Sequence, residues 1–540
     1  MKKLQECLDE TRDSIIGLKL NEADTYAKGD EPIIDHTIVM ESLRLPTRMK
    51  GFGLRIMGKR QSDAAFIGGV VMAVKNWLSV IKPDGSTTPG LYPLLETMFK
   101  ERGPQREQIV QQTFTNFVNG DYRMGKDLRN AFNRCKNAAN KPQDGILQGE
   151  VESLCLEDKT QKLIVKQIEE ARYKNINERM NMLQKDDRRR LSWMNRQSTT
   201  TAIFTTTPTI DSQVPNYLFT GTAALLLGAI DPSILKLVGL KIGTTNNIVD
   251  MHGDSLANAV LKGDRWRTAH DTMNQAFSKA MSLFNIIHMR EVSGMFINYM
   301  SIQGREEYAN STQEEKRKKT IIPDILLTGQ RPEGSPLRHA MPGDVMYEMK
   351  RVHGVMTINR ATGAINEVNQ YYKILRDHNP ADHVKAIDKR AQQIPGGYEL
   401  KAKKTDELLG NPGENAALDA LREFPTVRGL AVGAFGEMSK GIHDLIAGIA
   451  YEGAINKPQM FSQRSGNDNR SLISYWLKKR WSRLALISAT QVKYDAMRFV
   501  GGSAQHRAAQ PNNLNDQLDY FDERSRQSRE REAYMHNFYM

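Results

Sequence analysis

The stretch GDVMYEMKRVHG, residues 343–354, predicts a strand that is apolar on one face and ionic on the other. Side chains alternate along a strand, so Asp344, Glu348 and Lys350 share a face. Two carboxylates buried side by side repel each other, and one of them normally takes up a proton. A divalent cation removes this conflict, because Mg²⁺ binds carboxylate oxygens and water, and a neighbouring lysine can orient or deprotonate the attacking water. The stretch therefore predicts a metal site on a core strand.

An acid in the preceding predicted strand adds to this set. Asp324 follows a proline in the segment PDILL, where a strand adjacent to the first can lie. Asp324 and Glu348 are the predicted ligands of Mg²⁺ or Mn²⁺, and with Lys350 they form the predicted catalytic set. Glu291, after the preceding helix, and Asp344 are candidates for additional ligands. The competing interpretation is an exposed strand with surface charges and a solvent-facing glutamate at the helix end.

The elements around these residues predict a mixed sheet flanked by helices. Apolar residues at helical spacing and β-branched runs between turn signals give the order α-β-β-β-α-β-α. The fold class is α+β, with a mostly helical N-terminal region followed by an α/β domain. The predicted helices cover 268–289, 364–392 and 439–451, the last capped by Ser439, and the predicted strands cover 291–300, 320–327, 344–350 and 427–435.

Positive charge is the main signal in the composition. The 540 residues include 75 Lys and Arg against 63 Asp and Glu, a formal net charge of +12. This excess favours a polyanionic partner, with nucleic acid ahead of membrane, although any single basic run is more often a solvated helix face. Residues 188–190 form one basic run on a predicted helix. The other predicted nucleic-acid contacts are Lys316, Arg317, Lys318, Lys319, Arg351, Lys478, Lys479 and Arg480.

Cysteine usage indicates a reducing compartment. Cys7, Cys135 and Cys155 are too few and too scattered for a disulfide framework or a four-thiolate metal site. The N-terminus lacks the apolar core of a signal peptide. The apolar stretches 64–81 and 222–230 are interrupted by a lysine or closed by Asp-Pro, so they predict buried helices. The expected location is intracellular, and nuclear in a eukaryote, without a membrane partner.

Composition divides the chain into six predicted parts. They are a helical region at 1–150, a charged helical connector at 151–197, a region at 198–265 that precedes the sheet domain, the sheet domain at 266–455, a basic helix at 456–500, and a polar tail at 501–540 that is expected to be poorly ordered.

The motif order resembles that of a known enzyme group. Pro323-Asp324 followed by Glu348-x-Lys350 resembles the PD-(D/E)xK, or restriction-endonuclease-like, nucleases. The resemblance implies a nuclease-like domain at 266–455 with Mg²⁺ (or Mn²⁺) as cofactor and DNA as substrate.

Three further segments are similar to a narrower group, the C-terminal regions of non-LTR (LINE-type) retrotransposon reverse-transcriptase open reading frames. LPTRMKGFGLRI (residues 45–56) resembles a segment that follows the polymerase core there. Residues 249–277 resemble the knuckle and helix before the nuclease strands, and residues 429–450 resemble the late strand and helix. The resemblance covers residues 43–80 and 200–450. It implies a DNA endonuclease of retrotransposon origin that acts on DNA or RNA–DNA intermediates.

Two departures from this group limit what carries over. Only His252 and His270 remain of the Cys/His zinc knuckle, and no cysteine follows Cys155, so no structural zinc is predicted. The Tyr/Phe-x-Asp-Asp motif of polymerases is absent from the sequence, so the chain is predicted to lack polymerase activity.

Two other functions stay open at this point. One is a catalytically inactive, nucleic-acid-binding remnant of such a protein, and the discriminating feature is whether Asp324, Glu348 and Lys350 converge. The other is a basic nucleoprotein, which predicts a helical body without a mixed sheet between residues 291 and 435. The sequence leaves the oligomeric state open.

Overall fold

The computed structural model divides into two compact units, each described by itself. The first comprises residues 1–229 and 478–483, and the second comprises 230–477 and 484–540. The predicted tail after Gly501 lies outside the described residues. These are 10–14, 16–18, 37–52, 59–78, 80–81, 87–88, 104–139, 146–157, 159–183, 187–196, 200–204, 214–245, 247–259, 261, 265–339, 343–352, 356–358, 365–368, 387–458 and 466–501.

The described residues of the first unit are mostly helical. A short antiparallel pair, β1 with β2, accompanies its helices. In chain order its elements are α1 (Thr37–Leu43), α2 (Lys59–Leu78), β1 (Val80–Ile81), β2 (Thr87–Thr88), α3 (Pro104–Asn119), α4 (Arg123–Ala138), α5 (Thr160–Met182), α6 (Arg188–Asn195) and α7 (Asn216–Leu227).

The charged segment expected as a connector lies inside this first unit. It is helical, as predicted, and contains α5 and α6. Ile164 and Ile168 of α5 are buried in one cluster with Ile67 of α2 and Leu128 of α4. The apolar face of α5 therefore contributes to the core of the unit, while its charged residues lie around that face.

The basic run that opens α6 does not present a row of exposed cations. Arg188 and Arg189 are buried, and Arg189 forms an ion pair with Asp187 at 2.6 Å. The expectation that this run contacts phosphate is therefore wrong for these two arginines.

The second unit contains the predicted sheet. Its strands are β3 (His288–Arg290), β4 (Ile325–Leu327), β5 (Val345–Arg351), β6 (Met356–Ile358), β7 (Ile365–Val368) and β8 (Arg428–Val432). Its helices are α8 (Pro232–Leu235), α9 (Asp254–Asn258), α10 (Arg265–Leu283), α11 (Ile302–Asn310), α12 (Gln313–Lys319), α13 (Ile394–Leu409), α14 (Ala416–Glu423), α15 (Lys440–Asn456) and α16 (Gly466–Met497), of which residues 478–483 group with the first unit.

Four strands form a mixed sheet in the order β3-β4-β5-β8. β3, β4 and β5 are antiparallel neighbours, and β5 pairs in parallel with β8. One sheet face packs on α13 and α14 in a buried cluster that includes Leu326, Met346, Ile394 and Leu418. The protein is therefore α+β, and this sheet contradicts the structural prediction of the nucleoprotein alternative.

The first sheet strand lies earlier than predicted. The expected strand 291–300 is instead a turn followed by a 3-10 helix, and β3 ends at Arg290. Glu291 and Gly294 both have positive φ angles, +48° and +87°, which end the extended conformation. The apolar residues that suggested a strand therefore enter the core from a turn, as Phe296 does.

The connections also differ from the predicted ones. The segment between β3 and β4, where no helix was predicted, contains the helix pair α11 and α12. Of the predicted helix 364–392, residues 365–368 form strand β7, whose β-branched ends favour extended structure. Residues 369–386 lie outside the described ranges. Ser439 precedes α15 as predicted, but its hydroxyl accepts from the Ala431 N–H, and the carboxylate of Asp388 accepts from the first helical N–H, that of Lys440.

Among the described residues, no helix combines the length and apolar composition needed to cross a bilayer.

Candidate metal centre

Asp324 and Glu348 lie opposite each other on neighbouring strands. β4 and β5 are antiparallel with Ile325 opposite Tyr347, so the next position along the pair sets Asp324 against Glu348. Directly opposed side chains in such a pair have Cβ atoms about 5 Å apart on the same face. Both residues are almost completely buried. The structure thus brings the two predicted acids together.

Asp324 is held as a carboxylate by two donors. Its Oδ2 accepts from the backbone N–H of Met349 at 2.7 Å and lies 3.1 Å from Nε2 of His270. Burial alone would raise the pKa of Asp324. The hydrogen bond and charge of His270, the Met349 amide and the charge of Lys350 outweigh that effect, so the pKa lies below its ordinary value of 3.8.

His270 is the basic partner of this carboxylate. Burial lowers the pKa of His270, but the hydrogen bond and charge of Asp324 raise it more, helped by Asp271 and Glu348. The net pKa lies above the ordinary 6.5. The ring reaches the sheet from α10, where Nδ1 lies 3.3 Å from the Asp271 carboxylate. Both pKa shifts favour the charged pair of a carboxylate and an imidazolium.

Glu348 is fixed from two sides. The Tyr398 hydroxyl, from α13, donates to Oε2 at 2.7 Å, and the Lys350 ammonium pairs with Oε1. Burial, with the charges of Glu348 and Asp324, raises the pKa of Tyr398 well above 10.0, so Tyr398 remains a donor. The Lys350 side chain is 39% exposed. Lys350 therefore connects the buried carboxylate to solvent.

The two additional acid candidates are placed differently. Glu291 directly follows β3, and its N–H donates to the Asp324 carbonyl at 3.2 Å, but its carboxylate binds Arg317 at 2.7 Å. Asp344 precedes β5 four positions before Glu348, which is about 13 Å along a strand. The structure places Glu291 beside the site and does not bring Asp344 to it.

The predicted nucleic-acid contacts on α12 differ in their surroundings. Arg317 pairs with Glu291, Lys319 pairs with Glu307 at 2.7 Å, and the Lys316 ammonium lies 5.0 Å from the centre of the Tyr308 ring. Lys318 is exposed.

The remaining predicted contacts lie on other elements. Arg351 donates to the Ser488 hydroxyl at 2.6 Å and the Ala485 carbonyl at 3.1 Å, so it ties β5 to α16. Lys478, Lys479 and Arg480 lie on α16, and Arg480 is the exposed one.

Sequence reasoning missed two residues of the site, His270 and Tyr398. His270 precedes Met273 and Phe277 by three and seven positions, so it lies on the buried face of α10. A histidine on an apolar helix face was the available signal. Tyr398 gave none, because a tyrosine in an amphipathic helix is usually a core residue.

The donor set fits a hard divalent cation. Oδ1 of Asp324 has no hydrogen-bond partner within the described part of the chain, and each oxygen of Glu348 accepts one bond and has a second lone pair. Mg²⁺ commonly takes one or two carboxylates and completes its shell with water and substrate oxygens. In the described ranges, no group of three or more His, Cys, Asp or Glu side chains is arranged to hold a metal ion.

The charged pair predicts a pH window for local stability in metal-free protein. The lowered pKa of Asp324 stabilises the fold above pH 3.8, and this contribution is lost as the pH falls through the lowered value. The raised pKa of His270 stabilises it below pH 6.5, and this contribution is lost as the pH rises through the raised value. The Met349 amide is hydrogen bonded to Asp324. We expect its hydrogen-exchange protection factor to be largest between the lowered pKa of Asp324 and the raised pKa of His270.

His270→Gln is the informative variant for this expectation. It should remove the decline in Met349 protection on the alkaline side and keep the decline on the acid side. Equal protection across the whole range in the wild type would contradict the assigned charge pair.

No family model, curated protein or solved structure matches this chain. The resemblance to retrotransposon nucleases therefore stays a prediction.

Proposed function

We propose that the protein is a metal-dependent DNA endonuclease whose centre is formed by Asp324, Glu348 and Lys350, with His270 beside them. The observation that carries the proposal is the opposition of two buried carboxylates on adjacent strands, with a lysine reaching solvent from the same face. Mg²⁺ commonly takes one or two carboxylates from a protein, and this pair offers two on one face of the sheet. We further propose that the sheet domain has the restriction-endonuclease-like fold and that the chain derives from a retrotransposon.

The residues of the chain have distinct roles in this reaction. Asp324 and Glu348 would hold Mg²⁺ or Mn²⁺ through oxygens that still have free lone pairs. When bound, the cation supplies Lewis acidity for the charge that develops on phosphate, and it acidifies water. The Lys350 ammonium lies where it can stabilise that charge and orient the attacking water. Tyr398 keeps Glu348 in place, and His270 keeps Asp324 ionised.

The test is cleavage of supercoiled plasmid and a branched oligonucleotide with Mg²⁺ or Mn²⁺. Wild-type protein should nick DNA only with metal, and Glu348→Ala and Lys350→Ala should both lose this activity. Asp344→Asn is the matched control, because it removes an acid beside the same strand but about 13 Å from Glu348. It should cleave like the wild type.

A non-catalytic function is the second candidate, and the occupied oxygens of Glu348 favour it. The Lys350 ammonium already balances the charge of this carboxylate, and the Tyr398 hydroxyl donates a hydrogen bond to it, without a metal ion. That function predicts no cleavage by wild-type protein, together with DNA binding that weakens as salt rises and does not change in Glu348→Ala.

A further inference from the structure

Three acids occupy one row across the sheet. Arg290 of β3 is opposite Ile325 of β4, so the next position sets Glu291 against Asp324, and their backbones are hydrogen bonded at 3.2 Å. Asp324 is in turn opposite Glu348 on β5. Three neighbouring chain segments thus each carry one acidic residue at the same backbone level, with Glu291 just past the end of β3.

The outer acid of the row is engaged elsewhere. The guanidinium of Arg317, on α12, binds the Glu291 carboxylate at 2.7 Å. Glu291 also has a left-handed backbone, with φ of +48°, a conformation that non-glycine residues adopt rarely and often at functional sites. Among the described residues, no three His, Cys, Asp or Glu side chains are grouped so that they could hold a metal ion.

We propose that Arg317 is a positioning residue that responds to substrate. A phosphate of the nucleic acid takes the guanidinium from Glu291, and the released carboxylate joins Asp324 and Glu348 as the third acid at the cation. This inference rests on the proposed nuclease function. It makes tight metal binding depend on the presence of substrate.

The exchange is favoured by the nature of the ion pair. The side chains of Arg317 and Glu291 are 29% and 31% exposed, so a phosphate in solvent can reach the guanidinium. A phosphate offers two oxygens to the planar guanidinium and can bind it in a bidentate manner. Arg317 also lies in a run of four basic residues at the end of α12, which attracts phosphate to that turn.

The test measures Mn²⁺ affinity by isothermal titration calorimetry, with and without a phosphorothioate oligonucleotide that resists hydrolysis. For the wild type we expect the oligonucleotide to tighten Mn²⁺ binding by about 10-fold. Arg317→Ala should bind Mn²⁺ more tightly than the wild type without the oligonucleotide and gain less from adding it. Glu291→Gln should keep the weaker binding and gain less than the wild type from the oligonucleotide.

Lys319→Ala is the matched control, because Lys319 lies on the same helix but pairs with Glu307. This variant should keep the wild-type response. Titration of Asp324→Asn in the presence of the oligonucleotide measures the Mn²⁺ that the oligonucleotide binds by itself, because this variant lacks a proposed metal ligand. If Arg317→Ala responds like Lys319→Ala, the inference is overturned and the nuclease proposal stands. If Mn²⁺ binding to the wild type does not depend on Asp324 and Glu348, both are overturned.

Discussion

Replacing Asp324 with asparagine is expected to lower the rate of metal-dependent DNA nicking by roughly 10²–10³-fold, the usual effect of removing a group that acts on charge in the transition state. The carboxylate of Asp324 would contribute an ionised oxygen, Oδ1, to the cation, and an amide carries no charge to replace it. The variant also leaves His270 without its buried counter-charge. Nicking rates at saturating Mg²⁺, with Mn²⁺ affinity measured in parallel, would check this.

A control for the fold is available in the same unit. Asp406 is as buried as Asp324, and it accepts from the N–H groups of Ala417 and Leu418 in the first turn of α14. Asparagine keeps only one accepting oxygen for these two N–H groups, so Asp406→Asn should lose some stability but keep its activity. If both variants lost the same amount of nicking activity, the effect of Asp324→Asn would be due to a loss of folding.

The double variant Asp324→Asn/His270→Gln tests whether the two residues act as a unit. Because their side chains are in direct contact, the losses should be far from additive, and the double variant should be about as active as Asp324→Asn alone. Additive losses would show that His270 has a separate role.

The central part of the fold could be predicted because its signals are local. β4, β5 and β8 are short apolar runs, and α10 has apolar residues at helical spacing, so each could be recognised within its own segment. The joint role predicted for Asp324 and Glu348 followed from placing them on two strands that could lie side by side. Such patterns predict strand pairing well, because burial of one strand face fixes the register.

What could not be predicted depends on contacts distant in sequence. Tyr398 reaches Glu348 only because α13 packs on the sheet, 50 positions later in the chain. The end of β3 is set by the backbone conformation of Glu291, which its residue type does not suggest. The partners of Arg351 could not be predicted for the same reason, since they lie on α16, far away in the sequence.

Gly429→Ala is expected to destabilise the second unit by about 3 kcal/mol, at the upper end of the usual cost of overpacking. A Cβ atom at Gly429 would lie 2.0 Å from the carbonyl oxygen of Ala391. The obstacle is backbone and not the end of a flexible side chain, so the helical segment that contains Ala391 would have to move. Hydrogen-exchange protection of the β5 amides should fall accordingly.

The position of Gly429 connects this packing to the site. Gly429 pairs with Glu348 across the parallel strands β8 and β5, and the chain that crosses it continues into α13, which carries Tyr398. Displacing the segment around Ala391, which leads into α13, would withdraw the Tyr398 hydroxyl from Glu348. The rate of DNA nicking should therefore decline together with stability. Gly397→Ala is the matched control: its Cβ meets no atom within 4 Å, and removing a helical glycine should stabilise α13 by roughly 0.5–1 kcal/mol. Undiminished hydrogen-exchange protection of the β5 amides in Gly429→Ala would mean that the segment around Ala391 packs less tightly on Gly429 than the structure indicates. Glu348 would then be positioned by Lys350 and its own strand.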